Sequence, residues 1–144
     1  MKNFNELYKE LLMLVDPRDK YEWIIDYGGG GQGISYDKKI DDNLVLGFNS
    51  RIWVIKTGNN FYCEAELPIV DGFASIICDW WNQANSDQRD RFSVTELAKV
   101  GLMPLMGADL QSGIINLIYN LIKMFYKLNV NLNYILYFVK YFYR

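Results

Sequence analysis

Apolar residues near the start of the chain recur at steps of three and four positions. They are Phe4, Leu7, Tyr8, Leu11, Leu12 and Val15. This spacing predicts an amphipathic helix whose apolar face packs on a core. Asp16 and Pro17 then supply an N-cap and a proline at the first helical position, so a second helix is predicted through "RDKYEWIIDY", ending at Gly28.

The centre of the chain has a pattern typical of strands. "RIWVIKTGNNFYCEAE", residues 51–66, contains two runs of β-branched and aromatic residues separated by Gly58-Asn59-Asn60. Glycine and asparagine tolerate the left-handed backbone of a tight turn, so these runs predict a hairpin. Residues 44–46 could add a further strand, which gives a small antiparallel sheet of about three strands.

Helical patterns return after the hairpin. Pro68 is predicted to open a helix through "IVDGFASIICDWWNQA", and Ser93 with Glu96 matches a capping box for a short helix through "VTELAKV". Asp109 or Ser112 is predicted to cap a last helix, "GIINLIYNLIKMF". Two helices, a small sheet and further helices predict an α+β fold, with helices packed on one face of the sheet.

The end of the chain differs from the rest. "YKLNVNLNYILYFVKYFYR", residues 126–144, is rich in aromatic residues and asparagine and has no acidic residue. Its uncharged part is too short to span a bilayer, which leaves an interfacial segment, an extra helix or an aggregation-prone appendage. We therefore divide the chain into a domain of residues 1–124 and an atypical tail of residues 125–144.

Composition narrows the function classes. The formal charge is −2 and the chain has 0 histidines, so it offers neither a basic surface for nucleic acid nor an imidazole for a zinc site or a catalytic triad. We expect no metal, no cofactor and no nucleic-acid partner. No apolar run is long enough for a transmembrane helix, so none is predicted.

The cysteines Cys63 and Cys78 stand in apolar contexts without CxxC spacing. We therefore expect no disulfide, and we interpret Cys78 as a small buried hydrophobic residue. A reducing cytoplasm is the predicted compartment.

Two further patterns favour ordinary structural roles. "GGGGQG", residues 28–33, has the spacing G-x-G-x-x-G, but it follows a helix and no helix clearly follows it, so a flexible loop is favoured over a nucleotide site. The carboxylates are scattered along the sequence, and each is predicted to be a solvated surface charge. They are Glu22, Asp26, Glu64, Glu66, Asp71 and Asp79.

Five motifs together carry a resemblance to a known family. They are "DKYEWIIDYG" (19–28), "GFNSRIWVI" (47–55), "PIVDGFASII" (68–77), "LAKVGLMPLM" (97–106) and "SGIINLI" (112–118). In order and spacing they resemble the SufE-like sulfur-acceptor proteins of iron–sulfur cluster assembly, over roughly residues 4–124. The resemblance implies a SufE/IscU-like fold. It also implies docking on a cysteine desulfurase, a pyridoxal-phosphate enzyme of the SufS-like kind.

In that family a loop cysteine accepts persulfide sulfur from the desulfurase and passes it to an iron–sulfur scaffold. The resemblance places Phe48 at the acceptor position and Trp53 in the following strand. It assigns partner binding to the loop residues Gly47, Phe48, Asn49, Ser50 and Arg51. Leu105 and Leu110 stand where the family pattern has a histidine and an arginine.

Phenylalanine has neither an ionisable proton nor a soft nucleophilic atom, so Phe48 cannot accept sulfur. No catalytic residue is expected at this loop, and whether the chain is an enzyme stays open. Three interpretations remain: an inactive SufE-like protein that binds and regulates the desulfurase, a sulfur carrier through a relocated Cys63 or Cys78, and a structural or interaction module.

Overall fold

The N-terminal part of the fold is a pair of helices, α1 (Phe4–Met13) and α2 (Pro17–Gly29). The computed structural model describes residues 4–30, 33–45, 50–90 and 101–126. Asp16 caps α2 as predicted, because its side chain accepts a hydrogen bond of 2.8 Å from the Arg18 N–H. The helix ends one residue beyond the predicted Gly28.

The apolar face of α1 is narrower than its sequence pattern suggests. Leu7 and Leu11 are each only 1% exposed, whereas Leu12 is 50% exposed and Val15, beyond the helix end, is 89% exposed. Within the helix, the adjacent residues Leu11 and Leu12 therefore differ, because Leu11 packs on the core and Leu12 faces outward.

The sheet is a hairpin of β1 (Ile52–Thr57) and β2 (Asn60–Ala65). The strands are antiparallel, and their register runs from the pair Ile52 and Ala65 to the pair Thr57 and Asn60. Gly58 turns the chain with a φ of +62°, which an L side chain rarely adopts. Of the third strand predicted at residues 44–46, the described part shows a bridge between Leu44 and Trp53 and a hydrogen bond of 2.8 Å from the Val45 N–H to the Ile52 carbonyl oxygen. Residue 46 lies outside the described part.

Helix α3 (Pro68–Gln83) lies at the centre of the described fold. It packs against α2 on one side and β2 on another, and it also contacts a later helix. Nine of its residues are buried: Val70, Gly72, Phe73, Ala74, Ile76, Ile77, Cys78, Trp80 and Trp81. The helix predicted to open at Pro68 is confirmed, and it buries a broad apolar face.

The remaining described helices are α4 (Ser86–Asp90) and α5 (Ala108–Tyr126). Asp109 lies in the first turn of α5 and Ser112 lies inside the helix, so the helix begins earlier than the segment predicted for it. The predicted capping box of Ser93 and Glu96 and the tail from residue 127 onward lie outside the described residues. The domain boundary at residue 124 therefore stays a prediction.

These elements confirm the α+β class, because helices pack against a small antiparallel sheet. None of the described helices is long and apolar enough to cross a bilayer.

Two glycines set the distance between α2 and α3. A Cβ atom placed on Gly28 would lie 2.7 Å from the Gly72 nitrogen, and one placed on Gly72 would overlap the Ile24 carbonyl oxygen. Real Cβ atoms do not approach backbone this closely, so the two helix backbones are in contact where the motifs "KYEWIIDYG" and "IVDG" meet. These motif glycines have a packing role.

Candidate functional site

The loop that the sequence singles out leads directly into β1. Gly47, Phe48 and Asn49 lie outside the described residues. Ser50 is described, and its hydroxyl oxygen is buried without a hydrogen-bond partner among the described residues. Arg51 is exposed and precedes the first residue of the strand.

Trp53 anchors the strand that follows this loop. Its side chain is largely covered, and the residue is 7% exposed. The Lys39 ammonium lies 5.8 Å from the centroid of the indole ring, and the Arg51 guanidinium carbon lies 5.5 Å from it. Cations within about 6 Å of a ring centroid are attracted by its negative face. Arg51, the last residue of the loop, is thus held to β1 by its own side chain.

Each of these cations also forms an ion pair with a glutamate of the β2 side of the hairpin. Lys39 pairs with Glu64, and Arg51 pairs with Glu66. The Glu66 N–H donates a hydrogen bond of 3.1 Å to the Arg51 carbonyl oxygen. We call these five residues the tryptophan clamp. It fixes the point at which the chain leaves the loop.

A groove of about 510 Å³ lies beside the clamp. It is bounded by the C-terminal end of α2, the outer edge of β2 and the first turns of α3. Its polar walls include Lys39, Glu64, Glu66, Asp71 and Ser75. The sequence did not place any two carboxylates in one cleft, and the structure brings three to this groove. Their separation along the chain is short, but only the turn from β2 into α3 directs them to the same space.

Asp71 is a half-buried carboxylate in this groove, and its prediction as a solvated surface charge is wrong. Burial raises the pKa of Asp71, and the nearby Glu64 acts in the same direction. A hydrogen bond of 2.8 Å from the Ala65 N–H and the charge of Lys39 oppose that rise. The side chain therefore has a defined structural partner at the edge of β2.

Asp79 also departs from the surface role predicted for it. The Tyr27 hydroxyl of α2 donates a hydrogen bond to Asp79 on α3. Burial raises the pKa of Asp79 and also that of Tyr27, while the hydrogen bond from Tyr27 partly offsets the rise at the carboxyl group. Trp23 stacks on Tyr27 with ring centroids 5.3 Å apart. This pair joins two helices that are distant in sequence, so no local pattern could reveal it.

The two cysteines are bonded to each other, so the expectation of no disulfide is wrong. Cys63 on β2 and Cys78 on α3 have Cα atoms 6.4 Å apart, within the range that a disulfide spans. Cys63 is 6% exposed and Cys78 is 2% exposed. The predicted burial of Cys78 is confirmed. A relocated sulfur acceptor at either position would need an accessible thiol, which this pairing does not provide.

The remaining candidate positions are occupied by packing or turn residues. Leu105 and Leu110 pack against the core. Helix α2 continues into the glycine run and is capped at Gly30, and residues 36–38 form a short 3-10 turn where a nucleotide motif needs a helix. The described residues contain no cluster of three or more side chains suited to a metal ion.

Comparison with known proteins adds two findings. A model of the SufE Fe-S metabolism associated domain matches residues 5–124. An uncharacterized SufE-like protein of Rhizobium etli is 19% identical over 127 residues, which cover 82% of this chain and 86% of the relative.

Proposed function

Because this chain belongs to the SufE family, whose domain spans residues 5–124 of it, we propose that it binds a cysteine desulfurase without accepting sulfur from it. The proposed contact is the loop of residues 47–51. In this role the protein regulates the desulfurase, since it occupies the docking site of an active acceptor and returns no product.

The state of the cysteines is the observation that carries this proposal. Persulfide transfer requires a thiolate that attacks the outer sulfur of the donor persulfide. The chain has 2 cysteines, and these are bonded to each other and buried. The family resemblance places Phe48 at the position of the acceptor. Neither site offers a reactive thiolate.

The tryptophan clamp supports retention of the docking surface. Arg51 and Glu66 have side chains that are 64% and 40% exposed, so they are available to a partner while they hold the end of the loop. An iron–sulfur scaffold is a less direct partner, because delivery to it requires bound sulfur.

We place the protein in the cytoplasm with its proposed desulfurase partner. The paired cysteines count against this assignment, because stable disulfides are rare in reducing compartments. The location of the protein and the state of its cysteines are tested together. Thiols in intact cells are trapped with an alkylating reagent, and the cells are then fractionated. Recovery of the protein outside the cytoplasmic fraction would overturn the assignment.

The proposed function is tested by transfer of labelled sulfur. The wild-type chain, Phe48→Cys and Phe48→Ser are each incubated with a cysteine desulfurase and labelled cysteine, and protein-bound persulfide is measured. Phe48→Ser is the matched control, because it introduces a small polar side chain without sulfur. We expect label only on Phe48→Cys.

Binding is measured in parallel by calorimetry with the unlabelled desulfurase. Binding by the wild-type chain without label supports a non-transferring partner. Label on the wild-type chain that disappears in a Cys63→Ser/Cys78→Ser variant would contradict the proposal and identify a relocated acceptor. Absence of binding by all three chains would overturn the docking proposal and favour a structural or interaction module.

A further inference from the structure

The outer edge of β2 is attached to α3 at every second residue. At one end, the Phe61 N–H donates to the Asn82 side chain at 2.7 Å, and the Asn82 amide donates back to the Phe61 carbonyl oxygen at 2.8 Å. At the other end, the Ala65 N–H donates to Asp71 at 2.8 Å. The Cys63–Cys78 bond lies between them. We call this row of three attachments the seam.

The seam follows from the side-chain periodicity of strand β2 and helix α3. Residues 61, 63 and 65 of a strand share one orientation, and residues 71, 78 and 82 lie along one side of a helix. The two outer attachments are hydrogen bonds, and the middle one is covalent. An edge strand with satisfied backbone groups also cannot pair with another chain at those positions.

We propose that Cys63 and Cys78 form a reversible redox modification site whose oxidised form locks β2 onto α3 and whose chemistry requires the seam to open. This inference does not depend on desulfurase binding. It concerns the state of the hairpin on which the loop is mounted.

The oxidant is a low-molecular-weight disulfide of the glutathione class. The thiolate of one cysteine attacks this disulfide, forms a mixed disulfide and displaces one small thiolate. The second cysteine thiolate then attacks the protein sulfur and displaces the other small thiolate. The protons of the two cysteines pass to the released thiolates, so two protein thiols are oxidised and one disulfide is reduced. Reduction is the reverse sequence.

Burial determines when either reaction can occur. An attacking thiolate must approach a sulfur along the S–S axis, yet Cys63 and Cys78 are 6% and 2% exposed. Cys63 borders the groove beside the clamp, but so little of either cysteine is exposed that the closed seam gives a tripeptide thiol little access to the bond. The rate of exchange should therefore follow the fraction of molecules in which β2 has separated from α3.

The first test determines the redox state of the full chain after incubation with oxidised glutathione. The protein is denatured and alkylated with and without a phosphine reductant, and its mass is measured. We expect no alkylation without reductant and two adducts with it. Alkylation of both cysteines without reductant would overturn the proposal.

The second test compares rates of reduction by dithiothreitol in Asn82→Ala and Asn120→Ala. Asn120 is the matched control, because it also bonds a backbone carbonyl, at 2.8 Å, but within α5 and away from the seam. Loss of the two Asn82 hydrogen bonds should accelerate reduction about tenfold relative to the control, compared at equal global stability. Equal reduction rates in the two variants would contradict the proposal that reduction of the disulfide requires the seam to open.

A third test uses only the wild-type chain, so its outcome does not depend on whether a variant folds. Its reduction rate should rise steeply with urea well below the global unfolding transition, because urea promotes opening of the seam. A rate that does not change with urea in this range would show that the disulfide is reached in the closed protein, which would contradict the proposal.

Discussion

The two sides of the β1–β2 hairpin are held by different kinds of interaction. On the side that carries Trp53, Lys39 and Arg51 lie over the indole ring and pair with glutamates that are partly open to solvent. On the side that meets α3, attachment is through the buried Cys63–Cys78 bond and hydrogen bonds to the strand edge. Charges near water are screened and weakly coupled, whereas buried directional bonds tolerate little change.

This difference separates the part of the molecule that fixes the fold from the part that carries the loop. The crossing of α2 and α3, the seam and the core they enclose depend on close contact. The clamp depends on charges that water can partly replace. Substitutions in the clamp are therefore expected to disturb the fold less than substitutions at the helix crossing or in the seam.

The largest expected effect lies at the helix crossing. Gly72→Ala places a methyl group onto the Ile24 carbonyl oxygen, so the helices must separate. We expect a loss of about 3 kcal/mol or more in the free energy of unfolding, measured by urea denaturation. Gly29→Ala is the control, because a Cβ there has nothing within 4 Å. It should be neutral or stabilising by up to about 1 kcal/mol, and equal effects would show that the crossing is not tightly packed.

The cysteine pair should give the next largest effect. Its two residues are 15 positions apart, and closing a loop of that length is worth about 2–3 kcal/mol. The double variant Cys63→Ala/Cys78→Ala should therefore unfold at lower urea than the oxidised wild-type chain. Addition of dithiothreitol should lower the wild-type midpoint toward that of the variant and leave the variant unchanged. A wild-type midpoint insensitive to the reductant would argue that the bond adds no stability.

The Tyr27–Asp79 hydrogen bond between α2 and α3 can be removed with little change in side-chain volume. Tyr27→Phe removes the hydroxyl donor and leaves a partly buried carboxylate with one fewer partner. We expect a loss of about 1–3 kcal/mol at neutral pH, measured by urea denaturation. A loss below about 0.5 kcal/mol would mean that water replaces the hydroxyl group and that this site is not dry.

The pH dependence of stability should identify the same carboxyl group. Burial raises the folded-state pKa of Asp79 above its ordinary value of 3.8, so the folded chain binds its proton more tightly than the unfolded chain does. Its contribution to stability therefore falls as pH rises from 3.8 through the folded pKa, and stays constant above that. Asp79→Asn should show a smaller fall over this window in denaturation series. Parallel profiles for the two chains would contradict the assignment.

Patterns that are local in sequence were sufficient for much of the fold. The Asp16 cap, the Gly58 turn and the apolar face of α3 each depend on residues within a few positions of one another. Of the third strand predicted at residues 44–46, the described part shows the Leu44 bridge and a hydrogen bond from the Val45 N–H to β1, and residue 46 lies outside the described part.

The candidate site was predictable only in part. The motif around Trp53 includes Arg51, but Lys39 could not be identified as the second cation, since it is distant in sequence from β1. The pairing of Cys63 with Cys78 was missed because it joins a strand to a helix without a spacing signal. The sequence predicts a surface charge at Asp71, because the partner of this carboxylate is a backbone N–H, which no sequence pattern displays.

The smallest expected effect lies in the clamp, at the exposed pair of Arg51 and Glu66. Their side chains are 64% and 40% exposed, so water and salt screen the attraction between them. Arg51→Met should lower stability by less than about 1 kcal/mol, and the coupling energy from a double-mutant cycle with Glu66→Gln should shrink as salt is added.

The same pair of variants distinguishes a stability role from a docking role. If Arg51 holds the end of the loop for a partner, Arg51→Met should weaken desulfurase binding in calorimetry by more than it weakens folding. Gly29→Ala provides the baseline for that comparison, because the added Cβ has no atom within 4 Å. A coupling energy above about 2 kcal/mol that salt does not reduce would instead place the pair among the buried interactions and remove the contrast between the two sides of the hairpin.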